Sequence, residues 1–197
     1  MPRRRTDVAD SDFEELLDGA RRRDPACLRT LHDAVVRQVG AYLRANRAVD
    51  PAGATNEVLF RALTNLHRFE GDADRFRAWV LTIAHHLLID ERRARSRRPS
   101  EVPLPEDAEV EAADDPVAVV ELSESTELVL AELANLPDLQ RQVITLRWVG
   151  GLSLADVAGI LDCRVGAVKA AQHRGVETLR ARLAGVSPAF DLTLATS

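Results

Sequence analysis

The side chains best suited to chemistry lie close together near the end of the chain. Arg164, Lys169, His173 and Arg174 put four nitrogen-rich groups into eleven residues. Such groups bind phosphate oxygens and base edges, and the reach needed depends on the element that carries them. That element is readable. Ser153 followed by Asp156 makes a capping-box start, with Asp in place of the usual Glu. Leu154, Val157, Ala158 and Leu161 then fall at i, i+3, i+4 and i+7, an inward stripe for one short helix. After a three-residue turn, Val165, Val168, Val176, Leu179 and Leu183 line one face of a longer helix, a stripe that Gln172 interrupts. Gly166, Ala170, His173 and Arg174 occupy the opposite side, with Lys169 at the border. A short helix, a tight turn and a second helix with small and basic residues on its outer N-terminal half is a helix-turn-helix layout. The competing reading of the pattern is a plain helical hairpin with a solvated basic face.

A second set lies in the first half. Phe76, Trp79, Val80, Ile83, Leu87 and Leu88 sit at helical spacing and are expected to be mostly core. Their helix runs into Arg92, Arg93, Arg95, Arg97 and Arg98, five arginines in seven residues. Such a run is either a solvated, dipole-complementing helix end or a phosphate-binding stripe. Just before the helix, Arg68 to Arg75 form a short polar loop containing Phe69, Glu70, Gly71 and Asp72. An aromatic and a glycine beside a basic helix can hold an unstacked base. His85 and His86, with Asp90 nearby, invite a metal. Adjacent histidines point to different helix faces, however, and no third ligand is placed, so no metal is expected. Cys163, in the helix-turn-helix turn, and Cys27 suit small buried apolar positions. With no phosphate loop, nucleophile elbow or paired carboxylates, neither enzymatic activity nor a cofactor is expected.

The elements that must position these residues are helices throughout. Asp24-Pro25, Asp50-Pro51 and Asp115-Pro116 each precede an apolar-periodic stretch, pairing an N-cap carboxylate with proline in the first turn. Helices are expected over roughly 11–22, 25–46, 51–67 and 73–95, then 116–135, 137–149, 153–161 and 165–184. The fold is expected to be all-α. Charge divides the chain. The net −5 conceals +4 over residues 1–98, −10 over 99–127 and +1 over 128–197. Proline-containing and rich in acids, 99–127 reads as an extended linker between two small helical modules. The expected organisation is a disordered 1–10, a first module 11–98, the acidic linker 99–127, a helix-turn-helix module 128–184 and a tail 185–197. With 46% hydrophobic and 29% charged residues, the composition is that of a soluble globular protein. The chain holds no apolar run of 18 residues and opens without a signal-like segment, so membrane insertion and secretion are not expected. The two cysteines fit a reducing cytoplasm.

Taken together these segments resemble bacterial sigma factors of the extracytoplasmic-function (ECF) group, over about residues 12–184. Leu136-Pro137, Gln140-Arg141, Leu146, Gly151-Leu152-Ser153, Val157-Ala158, Val165-Gly166, Val168-Lys169 and His173-Arg174 look like the family's region 4. Asn56-Glu57, Phe60-Arg61-Ala62, Phe76-Arg77-Ala78-Trp79-Val80, Ile83-Ala84 and Asp90 with the arginine run look like region 2.

The resemblance implies a subunit that binds core RNA polymerase, at its clamp helices and flap, and directs it to promoter DNA. Region 4 would bind the −35 element through Arg164, Lys169, His173 and Arg174, with Ser153 near a phosphate. Region 2 would melt the −10 element, with Phe69, Glu70, Gly71, Asp72, Trp79 and His86 around a flipped base and Arg92, Arg93 and Arg95 on adjacent DNA. Asp50, Asn56, Glu57 and Arg61 would face polymerase. Three substitutions depart from the pattern: His86 stands where Asn is frequent, Arg164 replaces a common Ser cap, and Gln172 sits at a usually apolar position. The segment before Asn56 also lacks two of the family's usual acids. The acidic linker would either mimic phosphate against the polymerase's basic channel or act as a spacer. An anti-sigma factor enters as a candidate regulator. The alternative is a dimeric one-component helix-turn-helix regulator that binds its duplex without polymerase.

Overall fold

The computed structural model describes residues 10–97, 129 and 131–183, and among these there are helices and turns but no strand. The expected linker, the helix start at Asp115-Pro116, the tail and Arg98 lie outside the described residues. The first module comprises α1 (Asp10–Arg21), α2 (Pro25–Ala45), α3 (Pro51–Asn65), a 3₁₀ turn (Leu66–Arg68) and α4 (Ala73–Arg97). The second comprises a helical turn at 131–134, α5 (Asp138–Trp148), α6 (Leu154–Ile160) and α7 (Val165–Leu183).

The helix starts follow the capping chemistry of the sequence. Asp24 Oδ1 accepts from the N–H groups of Ala26 and Cys27, both at 2.9 Å. Asp50 Oδ1 accepts from Gly53 N–H at 2.8 Å, and Asp72 Oδ1 from Arg75 N–H at 2.8 Å. Each satisfies a donor that a helix start leaves without an intrahelical partner. Ser153 and Asp156 form the full reciprocal box: Ser153 Oγ accepts from Asp156 N–H at 3.1 Å and Asp156 Oδ2 from Ser153 N–H at 3.2 Å.

The two modules do not stand apart. Val143, Leu146, Leu152, Val157, Ala158, Val168 and Ala171 of the second belong to the same apolar cluster as Phe13, Val35, Tyr42, Leu81 and Leu88 of the first. In this seam α5 lies on α2 and α6 lies on α4. At Gly150 the turn after α5 comes so near α4 that a Cβ there would sit 2.7 Å from Leu81 Cδ1. Polar groups cross the seam as well. Gln38 Nε2 donates to the carbonyls of Val149 and Gly150 at 3.2 and 3.1 Å. Asn46 Nδ2 donates to Thr145 Oγ1 at 3.0 Å, with both residues buried. Arg92 donates to Asn46 O and to Asp138 Oδ2, each at 3.1 Å.

A smaller cluster inside the second module, Leu133, Leu136, Ile144, Val176, Leu179 and Leu183, packs α7 on α5. Gly175 lets the two helices close up, since a Cβ there would fall 2.4 Å from Ile144 Cδ1. Two expected core stripes need adjustment. Val165, at the first residue of α7, is 39% exposed, because its helix has not yet reached the packed surface. Trp79, Ile83 and Leu87 are only half-buried, whereas Phe76, Val80 and Leu88 are buried. Gln172 is buried at its interruption of the stripe, where Oε1 accepts from Arg147 Nε at 3.2 Å.

Candidate nucleic-acid interface

Two surfaces carry the sequence-predicted DNA residues, one on each module. On the second module, α6 and α7 meet through a turn closed by Asp162, which adopts φ +48. Asp tolerates this left-handed conformation better than most residues, and it lets Cys163 N–H donate back to Ala158 O at 3.0 Å. The turn fixes α7 with Val168, Ala171, Val176 and Leu179 against the core. Gly166, Lys169 and His173 are therefore presented outward at i, i+3 and i+7, with Ala170 half-buried beside them. A Cβ at Gly166 would meet nothing within 4 Å, so this end of the helix is bare. Arg164, Lys169 and Arg174 are exposed and have no ion-pair partner among the described residues. His173 Nδ1 lies 3.3 Å from Glu177 Oε2 on the same exposed face. Ser153 is exposed at the start of α6, and its Oγ is held by Asp156.

On the first module, α3 and its 3₁₀ extension present Arg61, Asn65 and Arg68 at i, i+4 and i+7, and α4 answers with Trp79, Ile83 and His86 at the same spacing. These six residues line a hollow of ≈ 380 Å³, within the size range of small-ligand sites. Of these, Trp79 and His86 are expected at this site from the sequence, and Arg61 at polymerase. Asn65, Ile83 and Arg68 join them only in the folded structure. The signal was available as two facing stripes of equal period, but only once α3 and α4 are known to be neighbours.

The adjoining loop is built differently from a free base-stacking platform. Phe69 is half-buried, stacked on Trp79 (centroids 5.1 Å apart, planes at 21°) and edge-on to Phe76 (5.3 Å, 86°). Arg21 of α1 donates to the carbonyl of Phe69, tying the loop to the first helix. Gly71 adopts φ +147, and a Cβ there would lie 2.8 Å from Arg75 Cδ and 3.0 Å from its Cβ. Backbone conformation and close approach thus both require glycine. Asp72 is spent as the α4 cap, which leaves Glu70 as the exposed acidic group of the loop beyond its capping residue.

The basic end of α4 divides. Arg93 and Arg95 are exposed and paired within the helix, Arg93 loosely with Asp90 at 3.9 Å and Arg95 closely with Glu91 at 2.5 Å. Arg92 turns instead into the seam between modules. Of the polymerase candidates, Asp50 caps α3, Glu57 pairs with Arg61 Nε at 2.6 Å, and Asn56 is exposed. The outer face of α3 also leaves Phe60 67% and Leu63 39% exposed, an apolar pair at i and i+3. His85 and His86 part company as adjacent helical residues must. His85 is buried, with Nδ1 3.0 Å from the Tyr42 hydroxyl, while His86 is exposed at the hollow. Burial, then the neighbouring His86 and Arg92, lowers the His85 pKa to about 4, so its imidazole is neutral near pH 7.

Comparison with known proteins bears on both surfaces. The family described as Sigma-70 region 2 matches residues 28–98, and Sigma-70, region 4 matches residues 126–179. The ECF RNA polymerase sigma factor BldN of Streptomyces coelicolor is 33% identical over 89% of this chain and 68% of its own. SigD of Mycobacterium bovis, named likewise, is 32% identical over 87% of this chain and 82% of its own. ShbA of Streptomyces griseus, a third, is 36% identical over 64% of this chain and 67% of its own. Among solved structures, CnrH in complex with the cytosolic domain of CnrY aligns with a TM-score of 0.55 at 21% identity, over 89% of this chain and 99% of that one. The sigma factor RpoE in complex with the anti-sigma factor NepR, from Bartonella quintana, aligns at 0.52 and 18%, over 90% and 97%. At those identities the two structures support the fold.

Proposed function

This chain belongs to the ECF sigma factors, non-enzymatic subunits that bind RNA polymerase and direct it to particular promoters, and from that premise we propose how its two surfaces divide the promoter between them. The match to region 2 displaces the alternative of a one-component regulator acting without polymerase. In our reading α7 enters the major groove of the −35 element. Lys169, His173 and Arg174 face bases and phosphates, while Arg164 and Ser153 hold the flanking backbone. The hollow of Arg61, Asn65, Arg68, Trp79, Ile83 and His86 receives an unstacked base of the −10 element. Glu70, Gly71 and Asp72 form its lip with Phe69 as the supporting ring, and Arg93 and Arg95 attract the adjacent strand. The first module, 11–98, also meets polymerase through the outer side of α3, where Asn56, Phe60 and Leu63 are exposed. The second module, 128–184, meets the −35 duplex. The protein works in the cytoplasm, where polymerase is, and an anti-sigma factor is its natural antagonist.

The observation that carries this reading is the division of α7. One face is packed into two cores, and the other offers Lys169 and Arg174 without a partner among the described residues. A helix used only as scaffold has no need of that asymmetry in cations. The test is run-off transcription with core polymerase on a promoter library randomised at both elements. RNA that depends on the added protein is expected. Lys169→Ala with Arg174→Ala should relax selection at −35 alone, and His86→Ala at −10 alone. Crossed effects, or relaxation at neither element, would overturn the assignment.

A further inference from the structure

The hollow between α3 and α4 depends on a short segment that does little to hold itself. The 3₁₀ turn Leu66–Arg68 follows α3 directly and carries Arg68 to the hollow, with Asn65 just before it. A turn of this kind has poor internal hydrogen bonding. Here Phe69 N–H donates to Leu66 O at 3.2 Å, and no side chain caps the start of the turn. Phe69, the next residue, is stacked on Trp79, the aromatic wall of the hollow. A shift in the turn would therefore move Arg68 and the Phe69–Trp79 stack together.

The turn is gripped from outside by α1. Arg21, the last residue of that helix, donates through Nε to Leu66 O at 3.5 Å and through Nη2 to Phe69 O at 2.5 Å. These carbonyls stand at the first residue of the turn and just after its last. The third nitrogen, Nη1, donates to Asp18 Oδ1 at 2.9 Å, which fixes the plane of the guanidinium. All three nitrogens thus meet separate acceptors, an arrangement that the compact ammonium of a lysine cannot reproduce. The helix itself is anchored. Phe13, Leu17 and Ala20 are buried, and Phe13 meets Phe76 at 5.6 Å, within the ring cluster that includes Phe69 and Trp79. Arg22, the exposed neighbouring cation, makes no hydrogen bond or ion pair to the turn among the described residues.

We propose that Arg21 is a positioning residue for −10 capture, one that acts without meeting DNA itself. By bridging the two ends of the 3₁₀ turn it holds Arg68 and the Phe69–Trp79 stack in the geometry that receives an unstacked base. This role rests on the reading that the hollow takes that base. Its consequence is selective. Loss of Arg21 slows capture of the base and leaves binding at −35 intact, because α7 has no part in the contact. Two hydrogen bonds from a charged group to backbone carbonyls are lost, which corresponds to about a tenfold effect.

The experiment uses the full chain bound to core polymerase and a promoter duplex with 2-aminopurine placed at successive −10 positions. Fluorescence of that base rises when it leaves the stack, and stopped-flow mixing gives the rate. Binding to a duplex carrying the −35 element alone is measured alongside. Arg21→Ala should slow the rise about tenfold with −35 binding unchanged. Arg21→Lys should fall between it and wild type, and Arg22→Ala should match wild type. Because both residues act on one turn, Arg21→Ala combined with Arg68→Ala should lose less than the product of the single losses. Helical circular dichroism equal to wild type establishes that a variant has folded. If Arg21→Ala is unfolded, Arg21→Lys against Arg22→Ala carries the test. A folded Arg21 variant that captures the base at the wild-type rate would overturn the proposal. So would an equal loss in Arg22→Ala, an equal loss at −35, or fully multiplicative losses with Arg68→Ala. A wild type that gives no rise, or Arg68→Ala that gives the wild-type rise, would overturn the assignment of the hollow itself, and the role of Arg21 with it.

Discussion

The outward face of α7 and the hollow between α3 and α4 are both proposed to meet DNA, but they are made in opposite ways. On α7 the side chains proposed for DNA stand clear of the core, and Lys169 and Arg174 have no ion-pair partner among the described residues. In the hollow, Trp79 is half-buried against Phe69 and Phe76, so the residue that would touch a base also holds the loop in place. Binding and folding are thus separable on the first surface and joined on the second. A surface that must read intact duplex needs only exposed groups on a rigid helix. One that must hold an extruded base needs an apolar wall, which has to be anchored.

The two surfaces differ most at Trp79. Trp79→Ala should cost about 3 kcal/mol of stability as well as −10 function, since a large ring packed on two others is removed; thermal unfolding alongside run-off transcription measures both. An unchanged melting temperature would show that the ring is not structural. Gly71→Ala comes next, at about 2 kcal/mol, because the left-handed φ and the approach of Arg75 both oppose a Cβ. Denaturant titration should show a shifted midpoint with an unchanged slope. On the other surface, Lys169→Ala with Arg174→Ala should leave the unfolding transition unmoved. Holoenzyme affinity for a promoter duplex should weaken about tenfold, with the salt dependence shallower by about one unit per lost phosphate contact. A fall in melting temperature comparable to that of Trp79→Ala would erase the distinction. At neutral pH the smallest effect belongs to His85. Its folded pKa is lowered to about 4 against about 6.5 unfolded, so the unfolded chain binds the proton more readily. The neutral imidazole costs nothing at pH 7, and stability is lost as pH falls from about 6.5 through 4. His85→Gln should flatten that part of the profile in melts taken between pH 7 and 4.

How far the sequence could be read follows the range of the interactions. Asp24, Asp50 and the Ser153–Asp156 box act over three residues, and their helices begin where the side chains predict. The helix-turn-helix is legible for the same reason, since its stripe, turn and basic face lie within one short segment. Val165 shows the limit, because a stripe does not reveal where along the helix its packing begins. The hollow was only half visible. Trp79 and His86 came from one helix, but Asn65 and Arg68 gain meaning only from the pairing of α3 with α4. Least visible was the seam. Gln38 and Gly150 are 112 positions apart, and nothing in either neighbourhood marks the other. Gln172, which looked like a flaw in a stripe, is explained by Arg147, 25 positions away on another helix.

The shared core also bears on how long such a chain lasts. Val143, Leu146, Leu152 and Val157 are buried within a cluster that runs into the first module. Separating the modules would present part of that apolar surface to water, the kind of surface on which aggregation and proteolysis begin. The packing of the modules therefore also protects the chain, because the contacts that join them keep this apolar surface covered.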